Sequence, residues 1–293
     1  MTNLSGPDRS HGVTLRVRLA PSVRPALVVE TMRDVLLSST LILKSPPPSA
    51  QVASLDAQAI EIELGFHVAD RSGASPARTE ILDLVYRHAK AARLDLAPPP
   101  GTGVLPSRRA SRPLPPRRAS SLRLLDNLPL FAVLTEPEKQ ALAAAMDRRS
   151  YRESEVVAAQ GTVLERLVLV RSGVLSVTCR DPDDGDEHEL ERLAPGDCFG
   201  ERGILLGLEE TGTVRALGRV VTYEIGRDIL APLMRGRPAM AEELEVILSR
   251  QSEAERRLAG SRNAGPLPPT TPGLAGRIRS LLGLPHDPPA RTP

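Results

Sequence analysis

Residues 97–120, APPPGTGVLPSRRASRPLPPRRAS, contain no acidic residue and no hydrophobic period, and proline recurs through them. Proline fixes its own φ and lacks a backbone donor, so such a stretch favours an extended, semi-rigid spacer over helix or sheet. The chain is therefore expected to fold as separate parts on either side. At 293 residues, each part is long enough to bury a core of its own. Linkers and tails of this kind also account for the unusual total of 28 prolines. Arg-Arg-Ala-Ser occurs at 108–111 and again at 117–120. The motif resembles a basophilic kinase site, and its simpler reading is a solvated basic linker with a chance repeat.

Before the spacer, Val13, Leu15, Val17 and Leu19 alternate with polar residues, the period of a strand with one buried face. Pro25 opens a helical stretch with Val28, Met32, Val35 and Leu36 on one stripe. After Pro46-Pro47-Pro48 come a short strand near Val52 and a regular alternation from Ile60 to Val68. Ser75 as N-cap and Pro76 at the first helical position start a second helix lined by Ile81, Val85, Ala89 and Ala92. The order strand, helix, strand, strand, helix predicts a small α+β layer, a ferredoxin-like βαββα domain over residues 12–96 behind an N-terminal extension, 1–11.

After the spacer, Thr135 and Glu138 form a capping box with Pro137 between them, and the helix they start is expected to bury Leu142, Ala145 and Met146. From Val156 to Ile225, short apolar runs are divided by turns at Gln160-Gly161, Arg171-Ser172-Gly173, Asp181 to Asp186 and Ala194 to Asp197, which predicts a β-roll or jelly roll. Met240, Leu244, Ile247, Leu248, Ala254 and Leu258 share one helical stripe, so a lid-like helix is expected over Ala239–Leu258. This domain spans 121–260, and a Pro-rich tail fills 261–293.

The net charge of +2 and the dominance of arginine over lysine give no reading as a nucleic-acid binder. Cys179 and Cys198 are too few for a disulfide framework and fit a reducing cytoplasm. No stretch approaches the roughly 20 apolar residues of a membrane helix. The acidic run around Gly185 is flanked by strand-like segments where a calcium loop needs helices, and reads as a hairpin tip. Cys179, His188 and Cys198 match no zinc spacing. The scattered histidines meet no nucleophile or carboxylate partner, so no catalytic constellation assembles and the chain is expected not to be an enzyme.

Gly196–Ala216, GDCFGERGILLGLEETGTVRA, carries the sharpest motif. Phe199-Gly200-Glu201 resembles the opening of the phosphate-binding cassette of cyclic-nucleotide-binding domains. Val170-Arg171-Ser172-Gly173-Val174-Leu175 and Leu193-Ala194-Pro195-Gly196-Asp197 match that family's other marks, over residues 120 to about 260. The resemblance implies that Phe199, Gly200, Glu201, Thr211 and Gly212 contact a cyclic nucleotide, cyclic AMP or cyclic GMP. Glu201 would hold the ribose 2′-hydroxyl. Gly200, Glu201 and neighbouring N–H groups would face the cyclic phosphate, Thr211 would donate its hydroxyl and Gly212 its N–H. The family's phosphate-clamping arginine falls nine residues after the glutamate, where this chain has Glu210. Losing a charge-assisted hydrogen bond costs about 1.5–3 kcal/mol, and a carboxylate ~4 Å from the phosphate adds repulsion of similar size. Arg202 or Arg215 are the candidate substitutes.

Residues 3 to about 99 carry a second resemblance, to the cytoplasmic C-terminal domain of small-conductance mechanosensitive channels. Asn3-Leu4-Ser5 stands where that family leaves its middle β domain, and the Pro25 helix, the proline break at 46–48, the Ile60–Val68 strand and the Ser75 helix follow in family order. Together the two resemblances imply the ligand-sensing cytoplasmic portion of a mechanosensitive-type ion channel. It would self-assemble as a heptamer and bind no nucleic acid. It would meet a membrane only through spans that the family places before Asn3, so Met1 would begin partway through that architecture. The alternatives are a transcription factor joining the roll to a helix-turn-helix, for which the Pro-rich stretch after Gly260 leaves little room, and a roll kept only for packing or oligomer contacts.

Overall fold

The computed structural model describes residues 10–98, 120–180 and 185–234, together with Arg237, Met240 and Val246. Most of the spacer, the first Arg-Arg-Ala-Ser, the tip of the acidic hairpin, the tail and nearly all of the expected lid helix lie outside the described residues, though Met240 and Val246 are helical. The chain forms two compact units that part between Arg117 and Arg118.

In the first unit, strands β1 (His11–Leu19), β2 (Ser49–Leu55) and β3 (Ile60–Val68) form an antiparallel sheet in the order β1-β3-β2. The register sets Leu15 against Leu64, Val17 against Ile62 and Leu19 against Ile60, so one face is continuously apolar. Helices α1 (Pro25–Ser38) and α2 (Ala74–Ala92) bury Val28, Met32, Val35, Leu36, Ile81, Leu84 and Val85 in the unit's core. The other face is polar, with Arg16 paired to Glu61 and Glu63. Beyond α2 the chain returns to the free edge of β1 through a bridge at Leu19 and Leu96. Backbone bonds from Ala20 N to Asp95 O (2.7 Å) and from Ala97 N to Arg18 O (3.0 Å) hold it there.

The start of α2 differs from the sequence expectation. The Asp70 carboxylate accepts from the N–H groups of Ser72 (2.8 Å) and Gly73 (3.1 Å), winding a turn at Arg71–Gly73 that runs into the helix at Ala74. Ser75 is thus inside the helix and caps nothing, because an aspartate five residues earlier satisfies the first donors. Ala92 is only half-buried, whereas His88 is buried. Ser38 Oγ donates to the Asp34 carbonyl at 2.8 Å, so its 2.8 Å contact with His88 is made by the Nε2–H of a neutral imidazole.

The second unit opens with α3 (Ser120–Asn127) and α4 (Glu136–Ala145). Thr135 and Glu138 form the expected capping box, with Thr135 N donating to Glu138 Oε2 at 2.9 Å. Leu142 and Met146 are buried, but Ala145 faces outward at the end of the helix. Two four-stranded antiparallel sheets follow. The first contains β5 (Val156–Ala158), β10 (Thr213–Ala216), β7 (Leu175–Arg180) and β8 (Glu187–Leu193), in that order. The second contains β4 (Asp147–Tyr151), β11 (Val220–Gly226), β6 (Arg166–Ser172) and β9 (Cys198–Phe199). Between them Val168, Val170, Leu175, Val177, Phe199 and Val214 fill a jelly-roll interior. On the outer face of the second sheet, Leu167, Leu169, Tyr223 and Ile225 pack with α3, α4, α5 (Glu201–Leu206) and α6 (Arg227–Met234) in a second core. Among the described residues, no helix is long and apolar enough to cross a membrane.

Candidate functional site

The short β9 pairs with β6 through Val168–Phe199 and Leu169–Cys198. The chain then turns at Gly200, whose φ of +90° lies in the left-handed region, and winds directly into α5. Two glycines let this helix approach bare backbone. A Cβ at Gly200 would lie 2.3 Å from the Arg166 carbonyl oxygen, and one at Gly203 would lie 2.1 Å from that of Leu164. Glu201, the first residue of α5, is 1% exposed. Phe199 is a core residue of the roll at 2% exposure, so its side chain serves packing.

The far end of the cassette is fixed to the same stretch of chain. Glu210 N donates to Thr162 O at 2.9 Å, and Gly161 N donates to Glu210 O at 2.9 Å. Residues 161–166 therefore carry both ends of the cassette and bring Glu201 and Glu210 to one strip of backbone. Glu210 is 9% exposed, a buried carboxylate at the position the resemblance gives to the phosphate-clamping arginine. Thr211 is half-buried. Gly212 is buried where a Cβ would stand 2.8 Å from both the Thr178 carbonyl oxygen and a Val177 methyl, so glycine is required for β10 to enter the sheet.

Of the two substitute arginines, Arg215 is engaged elsewhere, its Nη1 donating to the Ser154 carbonyl at 2.8 Å. Arg202 lies within α5 and is half-buried. Cys198 is buried beside the cassette. Burial first, then the charges of Glu201, Asp197 and Glu191, push its thiol well above the ordinary range.

A group of charges not foreseen from the sequence lies behind the cassette. Glu224 on β11 is 5% exposed and sits 3.0 Å from Arg166 Nε and 3.3 Å from Arg149 Nε, while Tyr151 donates its hydroxyl hydrogen to Glu224 Oε1 at 2.8 Å. The available signal was parity. Glu224 shares the inward side of β11 with Val220, where a lone carboxylate needs partners.

Residues 148–237 match the family model of the cyclic nucleotide-binding domain. The match covers the roll, the cassette and α6. The chain is 29% identical over 110 residues to the cAMP-dependent protein kinase regulatory subunit of Blastocladiella emersonii, an alignment covering 38% of this chain and 27% of that protein. It is 29% identical over 123 residues to the Cyclic AMP receptor protein of Thermus thermophilus, covering 42% and 56%. The crystal structure of the Thermus thermophilus Catabolite Activator Protein aligns with a TM-score of 0.40 and 24% identity, over 53% of this chain and 80% of that one. The chain thus spans between about a quarter and just over half of the curated relatives it matches here.

Proposed function

We propose that the second unit is a regulatory module that senses a small ligand at the Gly200–Gly212 cassette, and that the chain acts by binding rather than by catalysis. The observation that supports this best is the coincidence of the family match with the cassette's geometry. A left-handed Gly200, a buried Glu201 and the Glu210 that leads into Thr211–Gly212 all lie on residues 161–166. The relatives named for cyclic AMP make a cyclic nucleotide the ligand class to test first, with Phe199 contributing backbone only. Glu210 weakens that ligand, since a buried carboxylate opposes a phosphodiester monoanion.

In this reading the first unit, 12–96, is a ferredoxin-like body that the sensor, 121–260, regulates through the 97–120 spacer. It resembles the cytoplasmic domain of mechanosensitive-type channels, which implies a homo-oligomer, heptameric in family terms, at the cytoplasmic face of a membrane. The strand order β1-β3-β2, with the 95–97 segment bridged to the outer edge of β1, supports the ferredoxin-like part. Likeness to the CRP-like cAMP-activated global transcriptional regulator of Mycobacterium tuberculosis, 29% identical over 111 residues, supports a second reading, a transcriptional regulator.

Titrating the full chain with cyclic AMP and cyclic GMP while following hydrogen exchange tests the sensor. Added protection at the Ile204 and Gly207 amides is expected, and exchange unchanged at millimolar nucleotide would overturn it. Light scattering tests the ring, and a monomer would sink it. Retention of a DNA duplex by the chain would favour the regulator.

A further inference from the structure

Leu164, Glu165 and Arg166 touch two elements that are far apart in sequence. On one side lies α5, whose glycines rest on the Leu164 and Arg166 carbonyl groups. On the other lies the start of α6, where Arg227 N donates to Glu165 O at 3.2 Å. Both helices also bury side chains in one core, Ile204 and Leu205 from α5 and Leu230 and Met234 from α6. Backbone-on-backbone contact leaves no flexible side chain to absorb a shift, so displacing α5 displaces the strap beneath it.

The strap is held by charge. Arg166 Nε meets the buried Glu224, which Arg149 and Tyr151 fix from β4. Glu224 lies three residues before Arg227 on the strand that leads into α6. The ion pair therefore ties the strap, on whose carbonyl groups the cassette rests, to the strand that roots α6.

We propose that Arg166 is a positioning residue that couples the cassette to α6: its ion pair with Glu224 locks the Leu164–Arg166 strap, so that movement of α5 is passed to Arg227. What drives that movement rests on the sensor reading above; the tie itself does not.

Hydrogen exchange on the ligand-free full chain tests it, comparing Arg166→Leu with Arg149→Leu. Each variant removes one partner of Glu224, but only Arg166 belongs to the strap. Arg166→Leu is expected to speed exchange of the Ile204, Gly207 and Arg227 amides at least tenfold beyond Arg149→Leu, with the amides of β7 and β8 alike in both. Arg166→Lys, which keeps the charge, should restore part of the protection and serves as the test if Arg166→Leu does not fold. Equal exchange in the two leucine variants, or acceleration spread evenly through β7 and β8, would overturn the proposal. So would an Arg166→Lys chain that exchanges like the wild type at Ile204 but not at Arg227. A failure of cyclic nucleotides to bind would overturn the sensor reading and leave this comparison intact.

Discussion

The backbone N–H of Glu210 donates to the Thr162 carbonyl at 2.9 Å, and Gly161 returns a bond of the same length to the Glu210 carbonyl. This reciprocal pair fixes Glu210 on the strip that also carries α5. A substitution at 210 consequently changes the charge at this end of the cassette without releasing its backbone.

Gly203 has no room for a methyl group, since a Cβ there would sit 2.1 Å from the Leu164 carbonyl oxygen and 2.5 Å from its nitrogen. Gly203→Ala forces α5 off the strap, and overpacking of this kind costs about 1–3 kcal/mol. Urea unfolding of the full chain should show the transition of the second unit shifted to lower denaturant and that of the first unit unmoved.

Tyr151→Phe removes a hydrogen bond to a buried carboxylate, worth about 1.5–3 kcal/mol at neutral pH. Burial, then the hydrogen bond and charge of Glu224, push the phenol up to about 12, with Arg166 and Arg149 pulling the other way. A raised phenol contributes stability that is full below the ordinary tyrosine value near 10 and is lost as pH rises toward 12. The stability gap between wild type and Tyr151→Phe should therefore narrow across that window in denaturant titrations at fixed pH.

In the first unit a buried histidine and a half-buried aspartate oppose each other. Burial, helped by Arg87, holds the His88 imidazole down to about 3, so its contribution is present above the ordinary value of 6.5 and is lost as pH falls toward 3. Asp34 is pushed up to about 6 by burial and Glu30, so its contribution is present below 3.8 and is lost as pH rises through 6. The histidine has the wider span, so net stability of the unit should fall on acidification. Asp34→Asn should stabilise the chain at pH 7 and steepen the acid loss, as read from thermal unfolding across that range.

The two thiols should differ in reactivity. Cys198 is buried with its thiol pushed well up, whereas Cys179 on β7 is partly exposed. A maleimide reagent at pH 7.5 should label Cys179 readily in the native chain and Cys198 only on unfolding. Peptide mapping reads the difference.

Strict alternation from Ile60 to Val68 marked a strand because its inward side is wholly apolar and its outward side is not, and the capping box at Thr135 was visible because it needs only two residue types at fixed spacing. The cassette showed through Gly200, where sequence and backbone requirement coincide. Helix α3 was missed because SSLRLLDN is short and abuts the proline-rich spacer, so that only burial of Leu124 and Leu125 against the second core reveals it. β4, DRRSY, was hidden because most of its side chains are exposed and only Tyr151 turns inward. The strap was invisible for a different reason. Its contacts run through the carbonyl groups of Leu164 and Arg166, and side-chain patterns carry no record of backbone meeting backbone.

The most direct test is a calorimetric titration of the full chain and its Glu210→Arg variant with cyclic AMP and cyclic GMP. If the cassette is a nucleotide pocket whose clamp charge has been reversed, the variant should bind one of them at least a hundredfold more tightly than the wild type, about 2.7 kcal/mol. Equal affinity in the two proteins, or no binding by a variant that folds normally, would contradict it.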